Sequence, residues 1–299
     1  MKITGTFLDE ISHDIPSANW GKEDWANEFK VMKSVGIDTV ILIRSGYKDK
    51  ITFNSKTLSK HQAMRPAYTD LVDLFLNEAE KNSMDFYFGM YDSGKYWHEG
   101  KHDKEIDLNL ALAEEVMEKY GHRKAFKGWY LSHEFEEYNE GQLRLYEKLA
   151  VRLKEFNQSS IMMSPYIKGR LQFEKPITPM EHEKMWSQIF SSLEGKVDIC
   201  AFQDGQVDFL ELQAFMEINK KLADKYSITS WSNVETFERG MPINFLPINW
   251  NNLRYKLEVA EKVGVDKIIT FEFSHFLSPH SVYPAAHNLF NRYKEWITK

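Results

Sequence analysis

The sequence lacks the features that would place it among disulfide-bonded, nucleic-acid-binding or membrane-spanning proteins. Its one cysteine, Cys200, excludes an internal disulfide framework and a multi-cysteine zinc site. The 299 residues carry a net charge of −6 and contain no basic block, so we expect no nucleic-acid partner. No apolar run approaches the roughly 20 residues that a membrane-spanning helix needs, so we expect no membrane span.

Familiar cofactor and active-site motifs are also missing. The segment GTFLDEISHDIPSANW, after the start of the first predicted strand, contains neither G-x-G-x-x-G nor a P-loop. No nucleophile elbow of the form G-x-S-x-G occurs. His133-Glu134 begins like the zincin motif H-E-x-x-H, but Glu137 occupies the place of the second histidine. We therefore predict no cofactor and no bound metal.

The N-terminus gives no sign of a targeting segment. MKITGTFLDE enters a predicted strand directly and lacks the charged and apolar regions of a signal peptide. The expectation is a cytoplasmic location for the chain as given. Export stays open if a leader has been removed.

What the sequence does contain is an alternation of strand and helix patterns, repeated eight times. The predicted strands are Ile3–Leu8, Thr39–Ile43, Asp85–Met90, Gly128–Leu131, Ser160–Ser164, Asp198–Phe202, Ile228–Trp231 and Lys267–Phe271. The predicted helices are Glu23–Ser34, Tyr68–Lys81, Lys104–Tyr120, Gln142–Glu155, Glu181–Leu193, Asp208–Tyr226, Asn251–Val263 and Pro284–Ile297. Eight units fill residues 1–299 without a linker, so we predict an α/β fold with a single (β/α)8 TIM barrel as one domain.

A TIM barrel carries its chemistry on the loops that follow the C-terminal ends of the strands. Polar and aromatic residues at those positions are therefore the site candidates. The candidate catalytic glutamates are Glu134 after strand four, Glu235 after strand seven and Glu272 after strand eight. The candidate substrate-binding residues are Asp9, His13, Arg44, Tyr91, His133, Tyr166, Gln203, Asp204, Trp231, Asn233 and His275, with Tyr166 and Trp231 as stacking rings.

Carboxylates, amides, imidazoles and aromatic rings on one rim are typical of sites that process sugars. Cleavage of a glycosidic bond needs one protonated carboxylic acid near the leaving oxygen and one carboxylate facing the anomeric carbon. Burial can raise the pKa of the acid and so separate the two roles. A carboxyl separation of about 5–5.5 Å would favour retention of configuration, and one of about 6.5–9.5 Å would favour inversion.

The segments GTFLDE, GWYLSHEFEE, AFQDGQ, WSNVETFE and FEFSHFLSP resemble an uncharacterised TIM-barrel family, domain of unknown function 4434. That family is grouped with the clan of retaining (β/α)8 glycoside hydrolases, and the likeness covers nearly the whole chain. The clan has one Glu after strand four and another after strand seven. The resemblance therefore implies Glu134 as acid/base and Glu235 as nucleophile, with Glu272 as a substitute, while His133 stands where the clan usually has Asn.

The favoured interpretation is a retaining glycoside hydrolase that acts on a glycan or oligosaccharide. One alternative is a divalent-metal-dependent sugar isomerase or epimerase, with a ligand set drawn from several strand ends. Its ligands would be Glu134, Asp204, Glu235, Glu272 and His275. The other alternative is a barrel that binds carbohydrate without turning it over.

Overall fold

A computed structural model describes residues 1–238 and 245–299, and its centre is a closed barrel of eight parallel strands. The strands are β1 (Ile3–Leu8), β2 (Thr39–Leu42), β3 (Asp85–Gly89), β4 (Phe126–Leu131), β5 (Ser160–Met163), β6 (Ile199–Gln203), β7 (Thr229–Asn233) and β8 (Lys267–Thr270). They are neighbours in chain order, and β8 closes on β1. The predicted TIM barrel is confirmed, with strand ends within one or two residues of those expected.

Helices on the outside of the barrel follow each strand. They are α1 (Lys22–Ser34), α2 (Lys56–His61), α3 (Leu71–Asn82), α4 (His102–Tyr120), α5 (Glu140–Asn157), α6 (Pro179–Leu193), α7 (Phe209–Lys225), α8 (Trp250–Val263), α9 (Phe273–Phe276) and α10 (Pro284–Ile297). The short helices α2 and α9 were not predicted. Within the described ranges, no helix combines the length and the hydropathy that a bilayer crossing requires.

Side-chain caps explain where many of these helices begin. A side-chain oxygen accepts a hydrogen bond from a backbone N–H of the first turn, which satisfies a donor that has no partner inside the helix. Thr178 does this at the start of α6, where the Glu181 side chain also reaches back to the cap residue. The other capping residues of this kind are Ser55, Asp70, Asn139, Asp208, Asn249 and Glu272.

Two layers of apolar side chains hold the barrel together. The first fills its interior and consists of Phe7, Ile41, Ile43, Tyr87, Tyr130, Met162, Ile199, Ala201 and Ile269. The second, larger layer lies between the strands and the surrounding helices and includes Trp25, Trp129 and Trp186, which are all fully buried. Truncation of a buried aromatic residue of this size costs about 3–5 kcal/mol of stability.

Two small sheets extend the C-terminal side of the barrel, where the strands end. Four short strands pair in the order Arg65–Pro66, Lys50–Ile51, Gly46–Tyr47 and Tyr91–Asp92, and they follow β2 and β3 in the chain. After β7, Phe237–Glu238 pairs antiparallel with Leu246–Pro247. These additions build up the wall of the cavity described next.

Candidate active site

A cavity of about 450 Å³ opens at the C-terminal ends of the barrel strands. Its volume lies in the range of small-molecule sites, and this end of the barrel carries the active site in TIM-barrel enzymes. We refer to it as the rim cavity. It is lined by Asp9, His13, Asp14, Ile43, Arg44, Tyr47, Asp92, Trp97, His98, Glu134, Glu136, Gln142, Tyr166, Gln203, Glu235, Phe237, Phe245 and Phe271.

Glu134 follows the end of β4 and lines the rim cavity. Its Oε1 accepts a hydrogen bond from the Tyr130 hydroxyl at 3.0 Å, and its Oε2 accepts one from the Tyr166 hydroxyl at 2.8 Å. The Arg44 guanidinium donates to the same Oε2 at 3.3 Å. Burial raises the pKa of Glu134, and Arg44 and the two hydroxyls offset only part of that effect. A carboxyl group with a raised pKa is suited to act as a general acid.

Arg44 is fixed in the wall of the cavity by several contacts. Its Nη1 donates to Ser12 Oγ at 3.0 Å, its Nε lies 3.8 Å from Asp92 Oδ2, and its guanidinium lies 5.2 Å from the centre of the Tyr47 ring. Burial lowers the pKa of Arg44, but Glu134 and Asp92 raise it by more, so the side chain stays charged. The arginine is therefore a fixed positive charge beside Glu134.

Glu235 lies two residues beyond the end of β7 and is only 2% exposed. It shares the rim cavity with Glu134. The Tyr166 hydroxyl donates a hydrogen bond to Glu134, and the charge of Glu235 also affects its pKa. Burial, then Glu134, and to a smaller extent Glu235, raise the pKa of Tyr166 well above its ordinary value. Tyr166 is therefore a protonated hydroxyl that is bonded to Glu134 and lines the same cavity as Glu235.

Half of the predicted site residues line the rim cavity in the structure, and the other half do not. The predicted residues that line it are Asp9, His13, Arg44, Glu134, Tyr166, Gln203 and Glu235. The predicted residues outside its lining are Tyr91, His133, Asp204, Trp231, Asn233, Glu272 and His275. The positions of the second group have specific physical reasons.

Glu272 is the N-cap of the unpredicted helix α9 and is fully buried. Its carboxylate accepts hydrogen bonds from the backbone N–H groups of Ser274 at 3.0 Å and His275 at 2.6 Å, and it contacts His275 Nδ1 at 2.6 Å. His275 Nε2 lies 2.7 Å from the carbonyl of Pro16. Burial lowers the pKa of His275, but Glu272 raises it by more, to about 9. The pair is occupied in holding two loops together, and the structure places Glu235, not Glu272, in the cavity with Glu134.

His133 and Tyr91 are fully enclosed behind the cavity wall. His133 Nε2 lies 3.0 Å from Glu105 Oε1, and the imidazole packs edge-on against Trp97. Tyr91 donates its hydroxyl proton to the carbonyl of Lys48 at 2.7 Å. Both side chains therefore support the loops that carry the lining residues, and neither lines the rim cavity.

Trp231 belongs to the lower part of the barrel interior. It pairs with Lys267, the first residue of β8, so it lies below the C-terminal rim. Its ring packs edge-on against Tyr87, with the Lys267 ammonium 5.1 Å from the ring centre. The aromatic rings that do line the rim cavity, besides Tyr166, are Tyr47, Trp97, Phe237, Phe245 and Phe271.

Asn233 and Asp204 are buried side chains that connect neighbouring strand ends. Asn233 Oδ1 accepts the Phe271 N–H at 2.9 Å, and its Nδ2 donates to Ser164 Oγ at 3.3 Å. Asp204 Oδ1 accepts hydrogen bonds from the Glu235 N–H and from Lys256. Neither side chain lines the rim cavity.

Several lining residues were not predicted. Asp92 directly follows Tyr91, and the two side chains face opposite ways, as neighbours in an extended segment do. That alternation was a usable signal for Asp92, which accepts the Trp97 indole N–H at 2.8 Å. The other unpredicted polar or aromatic lining residues are Asp14, Tyr47, Trp97, His98, Glu136, Gln142, Phe237, Phe245 and Phe271. Most of them stand on long loops, where sequence periodicity carries no information.

One group of side chains in the described ranges could bring three metal-ligating atoms within 4.8 Å of one another, namely Asp92, Glu105 and His133. Protein donors already occupy these carboxylates. Glu105 accepts the Ser93 N–H at 3.0 Å and the Ser93 hydroxyl at 2.5 Å, while Asp92 Oδ1 accepts the Trp97 indole and the Gly94 N–H. The group is therefore a hydrogen-bonded network and a poor fit to a metal ion. It also differs from the five ligands that the isomerase alternative requires.

Solved structures similar to this chain include a protein of high sequence identity and others of low identity. A protein from Bacteroides thetaiotaomicron VPI-5482, provisionally named an α-L-fucosidase, is 48% identical, with a TM-score of 0.95 over 99% of this chain and 93% of its own. An endo-1,4-β-D-mannanase from Thermotoga petrophila RKU-1 is 11% identical, with a TM-score of 0.55 over 90% of this chain and 87% of its own. A family 1 β-glucosidase from Thermotoga maritima is 9% identical, with a TM-score of 0.57 over 92% and 86%.

The two distant structures support the barrel fold and nothing finer. No curated protein matches the chain. The family described as "Domain of unknown function (DUF4434)" matches residues 3–283, which is nearly the whole chain. The chain therefore belongs to the DUF4434 family, as its sequence segments had indicated.

Proposed function

We propose that this chain is a glycoside hydrolase in which Glu134 is the general acid and base and Glu235 is the nucleophile. The observation that carries the proposal is that these two glutamates, which follow β4 and β7, line one cavity, together with a Tyr166 hydroxyl that donates to Glu134. The raised pKa of Glu134, caused by its burial, suits the acid role. The provisional name of the 48% identical relative supports the same class of reaction.

The proposed reaction is a double displacement. The Glu235 carboxylate attacks the anomeric carbon while Glu134 gives its proton to the departing glycosidic oxygen, which leaves a covalent glycosyl ester on Glu235. Glu134, now ionised, takes a proton from a water molecule, and the resulting hydroxide displaces Glu235 from the anomeric carbon. Each glutamate ends the cycle in its starting protonation state, and the sugar keeps its anomeric configuration.

The lining of the rim cavity suits a small sugar unit. Asp9, His13 and Gln203 offer hydrogen-bonding groups to hydroxyls, and aromatic rings such as Trp97 and Phe271 offer apolar faces to the C–H side of a pyranose. A cavity of about 450 Å³ is suited to the terminal residues of a glycan. α-L-Fucosides are the first substrates to test, because of the name given to the relative.

Turnover of a panel of aryl glycosides, including fucosides, by the wild type and by Glu134→Gln and Glu235→Gln would test the proposal. Glu235→Gln should reduce turnover to background, because no covalent glycosyl intermediate can form without the carboxylate. Loss of Glu134 should reduce kcat/KM by about 10²–10⁴ for a poor leaving group, and by less for dinitrophenolate, which departs without a proton. NMR of the first product anomer should show retention.

Glu137→Gln is the matched control, because Glu137 lies near Glu134 in the chain but pairs with Lys168 instead of lining the cavity. It should keep wild-type activity. Full activity of Glu134→Gln or Glu235→Gln on every substrate would reject the assigned pair. Chelator-sensitive conversion of free sugars without glycoside hydrolysis would favour the metal-dependent isomerase, and sugar binding without turnover would favour a non-catalytic barrel.

A further inference from the structure

Lys256 is a lysine of helix α8 whose side chain is only 5% exposed. Its Nζ donates to Asp204 Oδ1 at 2.7 Å and to the backbone carbonyl of Glu235 at 3.1 Å. Asp204 Oδ1 also accepts the backbone N–H of Glu235 at 3.0 Å. Lysine is rarely buried unless it is paired. Here the ion pair holds both backbone polar groups of the proposed nucleophile.

Glu235 depends on this support because it stands beyond the end of its strand. The N–H groups on either side, those of Val234 and Thr236, donate to the carbonyls of Ile269 and Phe271 at 2.9 and 3.1 Å. Those two bonds tie the segment to the β8 side of the barrel. The Asp204–Lys256 pair ties Glu235 to the β6 side, so the segment is held from both directions.

Neither member of the pair lines the rim cavity. Asp204 and Lys256 instead line a separate cavity of about 250 Å³ on the other side of this segment, together with Phe237 and Ile248. A substrate in the rim cavity therefore does not touch them. Any effect of the pair on the reaction has to pass through Glu235.

We infer that Asp204 and Lys256 are positioning residues for the nucleophile: they fix the backbone of Glu235 and keep the charge beside it balanced. The inference rests on the proposed function of Glu235. A buried ion pair contributes little net stability compared with apolar residues of the same shape. A displacement of about 1 Å at a reacting group can reduce a rate about 10²-fold. Because neither residue lines the rim cavity, we expect the pair to affect turnover, through the position of Glu235, more than substrate binding.

Three variants, Lys256→Met, Asp204→Asn and the double variant, test the inference. Lys256→Met should lower kcat about 10–100-fold and change KM less than about threefold, because a misplaced nucleophile weakens the transition state more than the bound substrate.

The pH profile gives a second readout. Lys256→Met leaves the Asp204 carboxylate uncompensated, which favours the protonated form of Glu235, so the acidic limb of the kcat/KM profile should move to higher pH. Asp204→Asn should move that limb to lower pH. The double variant should bring it back towards the wild type.

Lys154→Met is the matched control at the opposite end of the barrel. Lys154 bonds to Asp198 Oδ1 at 2.7 Å and to the Gly195 carbonyl at 3.2 Å, and Asp198 Oδ2 accepts the Ile161 N–H at 2.8 Å, so it too is a lysine–aspartate pair that binds backbone groups, at a more exposed position. This variant should lose thermal stability and keep the wild-type kcat and pH profile. An identical effect of Lys154→Met and Lys256→Met on kcat would overturn the inference.

Trapping with a 2-deoxy-2-fluoro glycosyl fluoride separates this inference from the proposed function. Mass mapping should place the label on Glu235 of the wild type, and labelling of Lys256→Met should be about 10–100-fold slower. A label on Glu235 with equal rates in both proteins would overturn the positioning role and leave the proposed function standing. A label on another residue would overturn both. If Lys256→Met does not fold, the double variant, which carries no uncompensated charge, replaces it. Its kcat, KM and labelling rate are then compared with those of the wild type to test the positioning role.

Discussion

At the scale of single residues, the environment of Glu134 balances two opposing influences. Burial favours its protonated form, whereas Arg44 and the hydroxyls of Tyr130 and Tyr166 favour its ionised form. A group that alternates between acid and base in one cycle needs neither form to dominate strongly. Arg44 and the hydrogen bonds from the two tyrosines therefore together limit how far burial raises the pKa of Glu134.

Tyr166→Phe is expected to raise the pKa of Glu134, because it removes a donor to the ionised carboxylate. A hydrogen bond to a charged group contributes about 1.5–3 kcal/mol, which corresponds to about one to two pH units. Since Glu134 has to be protonated to act as an acid, the alkaline limb of the kcat/KM profile should move to higher pH. The measurement is the pH dependence of aryl glycoside hydrolysis.

Tyr120→Phe serves as the control for that measurement. The Tyr120 hydroxyl also donates to a carboxylate, Asp70 Oδ2 at 2.7 Å, but it lies on α4 and outside the rim cavity. Its loss should leave the pH profile unchanged. An alkaline limb that stays in place or moves to lower pH in Tyr166→Phe would contradict the acid role of Glu134.

At the scale of the elements, the sequence predicted the strands better than the site. Runs of β-branched and aromatic residues mark the eight barrel strands because these are buried on both faces. The same pattern placed Glu134, Tyr166 and Glu235 just beyond strand ends, where the cavity lies. Trp231 was misplaced because the depth of a residue in the barrel depends on the stagger between strands, which a single strand does not reveal.

Short elements limited the rest of the prediction. Glu272 follows a strand just as Glu134 does, and only the four-residue helix α9 turns it into a cap. A helix of this length has no periodicity to detect. For the same reason, the sequence did not predict the small sheets after β2 and β7. It therefore also missed the lining residues Tyr47 and Phe237, which these sheets carry.

Helix α2 is an element whose stability depends on a residue from another helix. Glu115 of α4 accepts hydrogen bonds from Ser55 Oγ at 2.7 Å and from the N–H groups of Lys56 at 2.8 Å and Thr57 at 2.9 Å, at the start of α2. Burial raises the pKa of Glu115, but these bonds outweigh it and lower the pKa to about 2. We expect Glu115→Gln to cost about 1 kcal/mol of unfolding free energy at pH 7, as for other lost helix caps.

The pH dependence gives this prediction a second check. A carboxylate with a lowered pKa in the folded state stabilises the fold above its ordinary value of 4.5, and that contribution is lost as the pH falls towards about 2. The difference between the wild type and Glu115→Gln in urea unfolding should therefore shrink between pH 4.5 and pH 2. Glu114→Gln, at an exposed position on the same helix, should show no such difference at either end. A constant difference would argue against the capping role.

At the scale of the whole molecule, the barrel exists only if its first and last strands meet. β1 pairs with β2 on one side and with β8 on the other, and the pairing with β8 shifts register between Ile3 and Gly5. The Ile3 N–H donates to the Tyr293 hydroxyl of α10 at 2.8 Å. The last helix thus completes the hydrogen bonding of the first strand, so the two ends of the chain support each other.

Tyr293→Phe should therefore destabilise the whole barrel without affecting catalysis. It leaves a buried backbone N–H without its acceptor, which costs about 1–3 kcal/mol. Tyr255→Phe is the control, because its hydroxyl bonds to the Phe209 carbonyl at 3.1 Å at an exposed position, where loss costs less than about 0.5 kcal/mol. Urea unfolding should show a lower midpoint with an unchanged slope for Tyr293→Phe, because the same surface is exposed on unfolding.

The kcat of Tyr293→Phe is the second readout. Ile3 begins β1, at the end of the barrel opposite the rim cavity, so kcat should stay at the wild-type value. Equal midpoints for the two variants would show that α10 does not secure the closure.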